Sequence, residues 1–188
     1  MIAGVDEVGR GCIAGPVVAA AVILQANIEG IKDSKKLSEK KRNELSELIK
    51  SNAIYSFGLS SNDEIDEFNI LEATKISMKR VLDKFKNSNS SIIIDGNFSL
   101  NYKNIYEKSV VGGDKLSLSI AAASIIAKVH RDRLMSLYDR KFRVYGWKKN
   151  SGYGTKQHIN AIYENGITAQ HRKTFEPIKS LSKKIQHL

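Results

Sequence analysis

Cysteine is nearly missing from this chain. Of 188 residues only Cys12 carries a thiol, which excludes an intrachain disulfide and a cysteine metal cluster. Proline is almost as scarce, with two residues, and no biased tract or internal repeat is present, which argues against a linker protein or a solenoid. No apolar run approaches the roughly 18–20 residues that a membrane span needs. The first residues enter an apolar segment at once, without the pattern of a secretory leader. A soluble cytoplasmic protein is the expectation, with no membrane partner. Four histidines, His130, His158, His171 and His187, follow no zinc spacing and are expected as surface or packing residues. Acidic residues are in deficit, 20 against 30 basic ones, for a formal net charge of +10. That balance favours a polyanionic partner, nucleic acid foremost.

What is present suits one domain over residues 1–188, with a helical C-terminal part over about 156–188. The 41% hydrophobic content is enough for a real core. The informative stretch comes first. Ile2 to Val5 and Val17 to Leu24 are apolar runs suited to buried strands. Between them lie adjacent carboxylates, Asp6 and Glu7, then Gly9-Arg10-Gly11. A carboxylate at the end of a buried strand loses hydration, and a like charge beside it raises the cost; a divalent cation would offset both. Asp6 is expected to close the strand and Glu7 to begin the turn. A hairpin loop with solvated acids is the plainer account of the same residues.

Further along, Ser38 is a plausible N-cap for a helix from Glu39 to about Lys50. Ala53 to Ser61 reads as a third strand. Asn62 starts a short acidic helix, and a separate amphipathic helix covers Ile70 to about Phe85. Ser91-Ile92-Ile93-Ile94-Asp95 predicts a strand buried on both faces and closed by Asp95. Ligands of open α/β sheets gather at strand carboxyl ends, yet an Asp-Gly turn explains Asp95 equally well. Tyr106 to Val111 is another strand, and a long helix rich in small residues runs from about Ser117 to Arg140. Trp147 to Thr155 reads as a glycine-bearing loop that exposes Tyr153. Helices over Lys156 to Glu164 and Ile178 to Gln186 follow.

Several blocks together resemble ribonuclease HII, the type 2 ribonucleases H. They are Asp6-Glu7-Val8-Gly9-Arg10-Gly11, Asp33-Ser34-Lys35-Lys36-Leu37-Ser38, the apolar strand ending Asp95-Gly96-Asn97, the Gly113-to-Asp132 block, Gly152-Tyr153-Gly154-Thr155 and His171-Arg172-Lys173-Thr174-Phe175. They span nearly the whole chain. Cys12 stands where that family usually has Pro or another small residue. The resemblance implies an α/β ribonuclease H-like fold: a five-stranded mixed sheet flanked by helices, with a helical C-terminal part. Type HIII relatives carry a long N-terminal extension; this chain begins at its first strand, so HII is preferred.

By the same resemblance Asp6, Glu7, Asp95 and Asp114 form the catalytic and metal-binding set. Asp132 is instead read as a structural ion-pair partner. Four carboxylates without Cys or His suit Mg²⁺ or Mn²⁺, and two such ions suit phosphodiester hydrolysis. Gly9, Arg10, Gly11 and Tyr153 form the candidate sensor of a ribonucleotide, and Ser34 and Lys35 are placed near the substrate backbone. The implied reaction is endonucleolytic. It cuts the RNA strand of RNA–DNA hybrids and duplex DNA 5′ of a single ribonucleotide, leaving a 3′-hydroxyl and a 5′-phosphate. A monomer is expected. Two other readings remain: a non-catalytic nucleic-acid-binding module, which has no reason to keep clustered acids, and a DNA junction resolvase on the same fold.

Overall fold

The first apolar run becomes strand β1 (Ile2–Val8) and the second β2 (Val17–Leu24). The structure is a computed structural model that describes residues 1–31, 37–85, 91–102 and 106–185. Helix α1 (Glu39–Ser51) starts where expected, with the Ser38 hydroxyl accepting the Lys41 N–H. Strand β3 (Ala53–Ser60) and helix α2 (Asn62–Leu82) follow. Asn69 breaks α2 with φ 69°, and its side chain caps the second half by accepting from Leu71 and Glu72 N–H. The two helices read from the sequence are therefore two halves of one kinked element. Strands β4 (Ser91–Asp95) and β5 (Glu107–Val110) complete the sheet.

The strand order is β3-β2-β1-β4-β5. Strand β1 is antiparallel to β2 and parallel to β4, and β4 is parallel to β5. The two faces of the sheet explain the apolar run in β2, which is buried from Val17 to Ile23. Ala19, Ala21 and Ile23 face α2 through Met78, Val81 and Leu82. Ala20 and Val22 face α1 and the long helix α4 (Leu118–Lys141) through Ile49, Ala122 and Ile126. The small residues of α4 permit close approach: a Cβ on Gly4 would collide with the backbone of Ser119 and Ile120.

Two expectations need correction. Strand β1 does not end at Asp6; it continues through Glu7 to Val8, because β2 keeps pairing as far as Val8↔Val18. Only the parallel ladder with β4 stops earlier, at Val5↔Ile94. Strand β4 is not fully buried on both faces either. Ile92 and Ile94 are buried and Ile93 is half-buried, because α4 crosses β1 and β2 and barely reaches β4.

The short helices α3 (Gly113–Leu116) and α5 (Trp147–Asn150) flank α4. Helices α6 (Lys156–Asn165) and α7 (Ile178–Ile185) build a separate apolar cluster around Trp147, with Ile13, Ala14 and Met135 reaching into it from the rest of the chain. The connection between β1 and β2 is thus held between the sheet layer and the C-terminal part.

His158 and His171 are buried in this cluster, and their partners fix their tautomers. His158 Nε2 accepts from the Trp147 indole at 2.9 Å, and its Nδ1–H donates to the Tyr153 carbonyl at 2.9 Å. His171 Nδ1 accepts from the Thr168 N–H at 2.9 Å, which leaves its Nε2–H for His158 at 3.2 Å. A further proton on either ring would set donor against donor. Burial, with His158 nearby, pushes His171 down to about 4 from 6.5, and burial lowers His158 as well. Both folded-state values lie below the unfolded one. The stability they protect is therefore complete above pH 6.5 and lost as the pH falls toward 4. For His171 alone this is about 3 kcal/mol. Melting temperature should fall more steeply over that interval for the wild type than for His171→Asn; equal slopes would contradict the assignment.

Candidate active site

Asp6 and Asp95 stand side by side just beyond the last pair of the parallel ladder. Asp6 is only 6% exposed. Its Oδ1 accepts the Glu7 N–H at 2.7 Å, and the Ser124 hydroxyl of α4 lies near the same carboxyl and favours its ionised form. These contacts do not compensate its position. Burial first, then the charges of Glu7 and Asp95, raise Asp6 well above the usual carboxylate range. Glu7 is also raised by burial, opposed by Arg10 at 3.4 Å. Its Oε2 is buried without a hydrogen-bond partner among the described residues. Asp95 Oδ1 accepts the Gly113 N–H at 3.0 Å, which ties the end of β4 to α3 and brings buried Asp114, the next residue, to the same strand end.

Mutually repelling, desolvated carboxylates are what a cation site looks like before the cation binds. All the donors are hard oxygens, which fits Mg²⁺ or Mn²⁺. Among the described residues no three Asp, Glu, His or Cys side chains enclose a metal-sized position on their own. That is compatible with Mg²⁺, which keeps several waters and binds through one or two carboxylates together with substrate phosphates. Asp132 lies apart, two turns beyond Ser124 on α4. It accepts from Lys128 Nζ at 2.7 Å and from the Ser151 hydroxyl at 2.8 Å.

The loop after Glu7 is fixed from beneath by two fully buried arginines. Arg172 donates to Gly9 O at 2.7 Å, Arg10 O at 3.0 Å, and Gly15 O at 2.9 and 3.0 Å. Arg131 donates to Pro16 O at 2.9 Å, Ala14 O at 3.1 Å and Ser151 O at 2.7 Å. Neither guanidinium has a carboxylate partner among the described residues. Burial lowers Arg172 to about 10, still charged at neutral pH. Gly9 has φ 97°, and a Cβ there would strike the Arg131 side chain, so glycine is required on both counts. Above this base Arg10 and Gly11 are exposed. Tyr153, 43% exposed, brings its ring to 4.0 Å from a Cβ built on Gly11 and lies beside buried Cys12.

Comparison with known proteins decides the family. The Ribonuclease HII family model matches residues 3–178. The chain belongs to the ribonuclease HII family. It is a ribonuclease. It is 50% identical over 183 residues to ribonuclease HII of Pelagibacter ubique, covering 96% of this chain and 98% of that one. It is 53% identical over 184 residues to ribonuclease HII of a Wolbachia pipientis strain, covering 96% and 93%. Among solved structures, ribonuclease H2 from Pyrococcus horikoshii superimposes with a TM-score of 0.81 at 28% identity, covering 100% of this chain and 99% of that one. The ribonuclease H-like fold with its helical C-terminal part stands as expected.

In this ribonuclease HII chain the structure brings Asp6, Glu7 and Asp95 into mutual electrostatic contact, with Asp114 next to the Asp95 anchor. It places Gly9, Arg10, Gly11 and Tyr153 on one rim beside them. Ser34 and Lys35 lie outside the described residues. Arg131 and Arg172 are not among the candidates read from the sequence, because a lone arginine reads as surface. Arg131 does carry a signal. It falls between Ala127 and Met135 at four-residue spacing, on the buried stripe of α4.

Proposed function

We propose that this ribonuclease cuts the RNA strand of RNA–DNA hybrids and nicks duplex DNA 5′ of a single ribonucleotide, leaving a 3′-hydroxyl and a 5′-phosphate, as a monomer. The observation that carries the reading is the buried, mutually repelling set Asp6, Glu7 and Asp95 beside a glycine loop clamped by two guanidiniums. Asp6, Glu7, Asp95 and Asp114 would hold two Mg²⁺ or Mn²⁺ ions. Bound there, the ions would supply Lewis-acid polarisation of the scissile phosphate and an acidified water. The chain's own residues do the selecting. Gly9, Arg10 and Gly11 offer backbone and side-chain groups to a 2′-hydroxyl, the one feature separating RNA from DNA at a given sugar. The Tyr153 ring is free to pack on the neighbouring sugar.

The test is a duplex carrying one ribonucleotide beside an all-DNA duplex, each with Mg²⁺, Mn²⁺ or chelator. A single nick 5′ of the ribonucleotide, absent with chelator and absent from DNA, is the expected result. Cutting of the all-DNA duplex would point to a resolvase. Folded protein that binds but never cuts would leave a binding module.

A further inference from the structure

A groove of about 1120 Å³ lies between α1, α4 and α5, away from the carboxylates. Six cationic side chains line it, Arg42, Lys128, Arg133, Arg140, Lys148 and Lys149, against two carboxylates, Glu39 and Asp132. Lys128 is matched by Asp132, and Arg133 pairs with Glu47 at 2.9 Å. Arg140, Lys148 and Lys149 are exposed and have no ion-pair partner among the described residues. The dipole of α4 accounts for Arg140 in its last turn; the two lysines sit within the single turn of α5, too short to carry a comparable dipole.

The groove is aligned with the active site. The α4 wall of the groove begins at Lys128, one turn beyond Ser124 at the Asp6 carboxyl, and continues through Asp132 and Ser136 to Arg140 along a four-residue row that winds slowly round the helix. Sixteen residues of helix from Ser124 to Arg140 span about 24 Å, the length of about seven base pairs at roughly 3.4 Å each. At its other wall Ser151, bonded to Asp132, leads into the Tyr153 loop.

We infer that this groove is a track for the sugar-phosphate backbone of one duplex arm, reaching about seven base pairs from the cleavage point. The inference rests on the nuclease reading above and extends it to which part of the substrate the protein grips. Converging cations repel one another until a polyanion enters, and phosphates spaced along a strand suit a line of separate charges. An acidic protein would need apolar or aromatic anchors as well. The groove offers no aromatic residue and only Val129 and Leu137 as bulky apolar lining.

The test is fluorescence anisotropy on a ribonucleotide-containing duplex without divalent metal, shortening one arm and then the other from about 14 to about 4 base pairs, lengths that bracket the inferred track. Wild type and the double variant Arg140→Ala/Lys149→Ala are compared, with melting curves to confirm that both are folded. Wild type should lose affinity when one particular arm is shortened below about seven base pairs, and hardly at all for the other. The double variant should bind the long duplex roughly thirty-fold more weakly, as expected for two exposed ion contacts at the upper end of their usual strength. It should be indifferent to arm length, with a salt slope shallower by about 2. Equal sensitivity to both arms, or unchanged arm dependence in the variant, would overturn the track. Nicking of the same duplexes with Mg²⁺ reports separately on the nuclease reading, which fails if wild type binds with arm dependence and never cuts.

Discussion

Asp95→Asn is expected to reduce cleavage of a ribonucleotide-containing duplex by about a thousand-fold or more, while leaving the protein folded. The substitution is nearly isosteric. The amide oxygen of the introduced side chain can still accept the Gly113 N–H that ties β4 to α3. What it removes is one charge beside Asp6 and Glu7. Without metal the variant should melt at the same temperature as wild type or above it, because a repulsion is gone. Divalent ions should raise the melting temperature of wild type and do so much less for the variant. Full activity in Asp95→Asn would remove the acidic set from the mechanism. Asp132→Asn is the matched control. It disturbs only the Lys128 and Ser151 contacts and should retain most activity.

Arg172→Met is the substitution expected to harm the fold most. Methionine fills similar volume but leaves the carbonyls of Gly9, Arg10 and Gly15 facing an apolar side chain. Unsatisfied buried acceptors cost about 1–3 kcal/mol each, with partial relief by relaxation. A net loss of about 3 kcal/mol is reasonable, which lowers the melting temperature by about 6–12 °C in a chain of this size. Arg172→Lys should recover little, since one ammonium cannot reach acceptors on three separate residues. A sharper readout is substrate choice below the melting transition. With Gly9–Gly11 loosened, cleavage at a single ribonucleotide should suffer more than cleavage of a long hybrid, where many registers are productive. Unchanged stability would mean that the carbonyl network of Arg172 carries no weight.

Much of this arrangement can be read before any coordinates. Val17–Leu24 and Ser91–Asp95 are strands because branched and small apolar residues have no other place to go, and carboxylates at strand ends are conspicuous. The misplaced end of β1 has a tertiary cause. Val8 remains in the strand only because Val18 of β2 lies opposite it, a pairing that local sequence does not encode. The half-exposed Ile93 depends likewise on where α4 crosses the sheet. Trp147–Asn150 reads as loop in the sequence; its single turn between left-handed Gly146 and Ser151 is too short to show a period. The buried arginines are hardest to see. A guanidinium normally signals solvent, and here its acceptors are main-chain carbonyls up to 163 residues away.

That separation fixes when the molecule becomes competent. Gly9 leaves the ribosome early and Arg172 late, with 163 residues between donor and acceptor. The sheet can begin to assemble on the nascent chain through the adjacent β1–β2 hairpin, a local contact. The glycine loop beside its carboxylates cannot be locked until Arg172 has been synthesised and has folded back over the whole domain. Closing so long a segment is entropically slow. Interrupted translation products ending before residue 172 should therefore hold the acidic strands without the rigid loop, and the capacity to cut nucleic acid should arrive only once Arg172 has been made and docked.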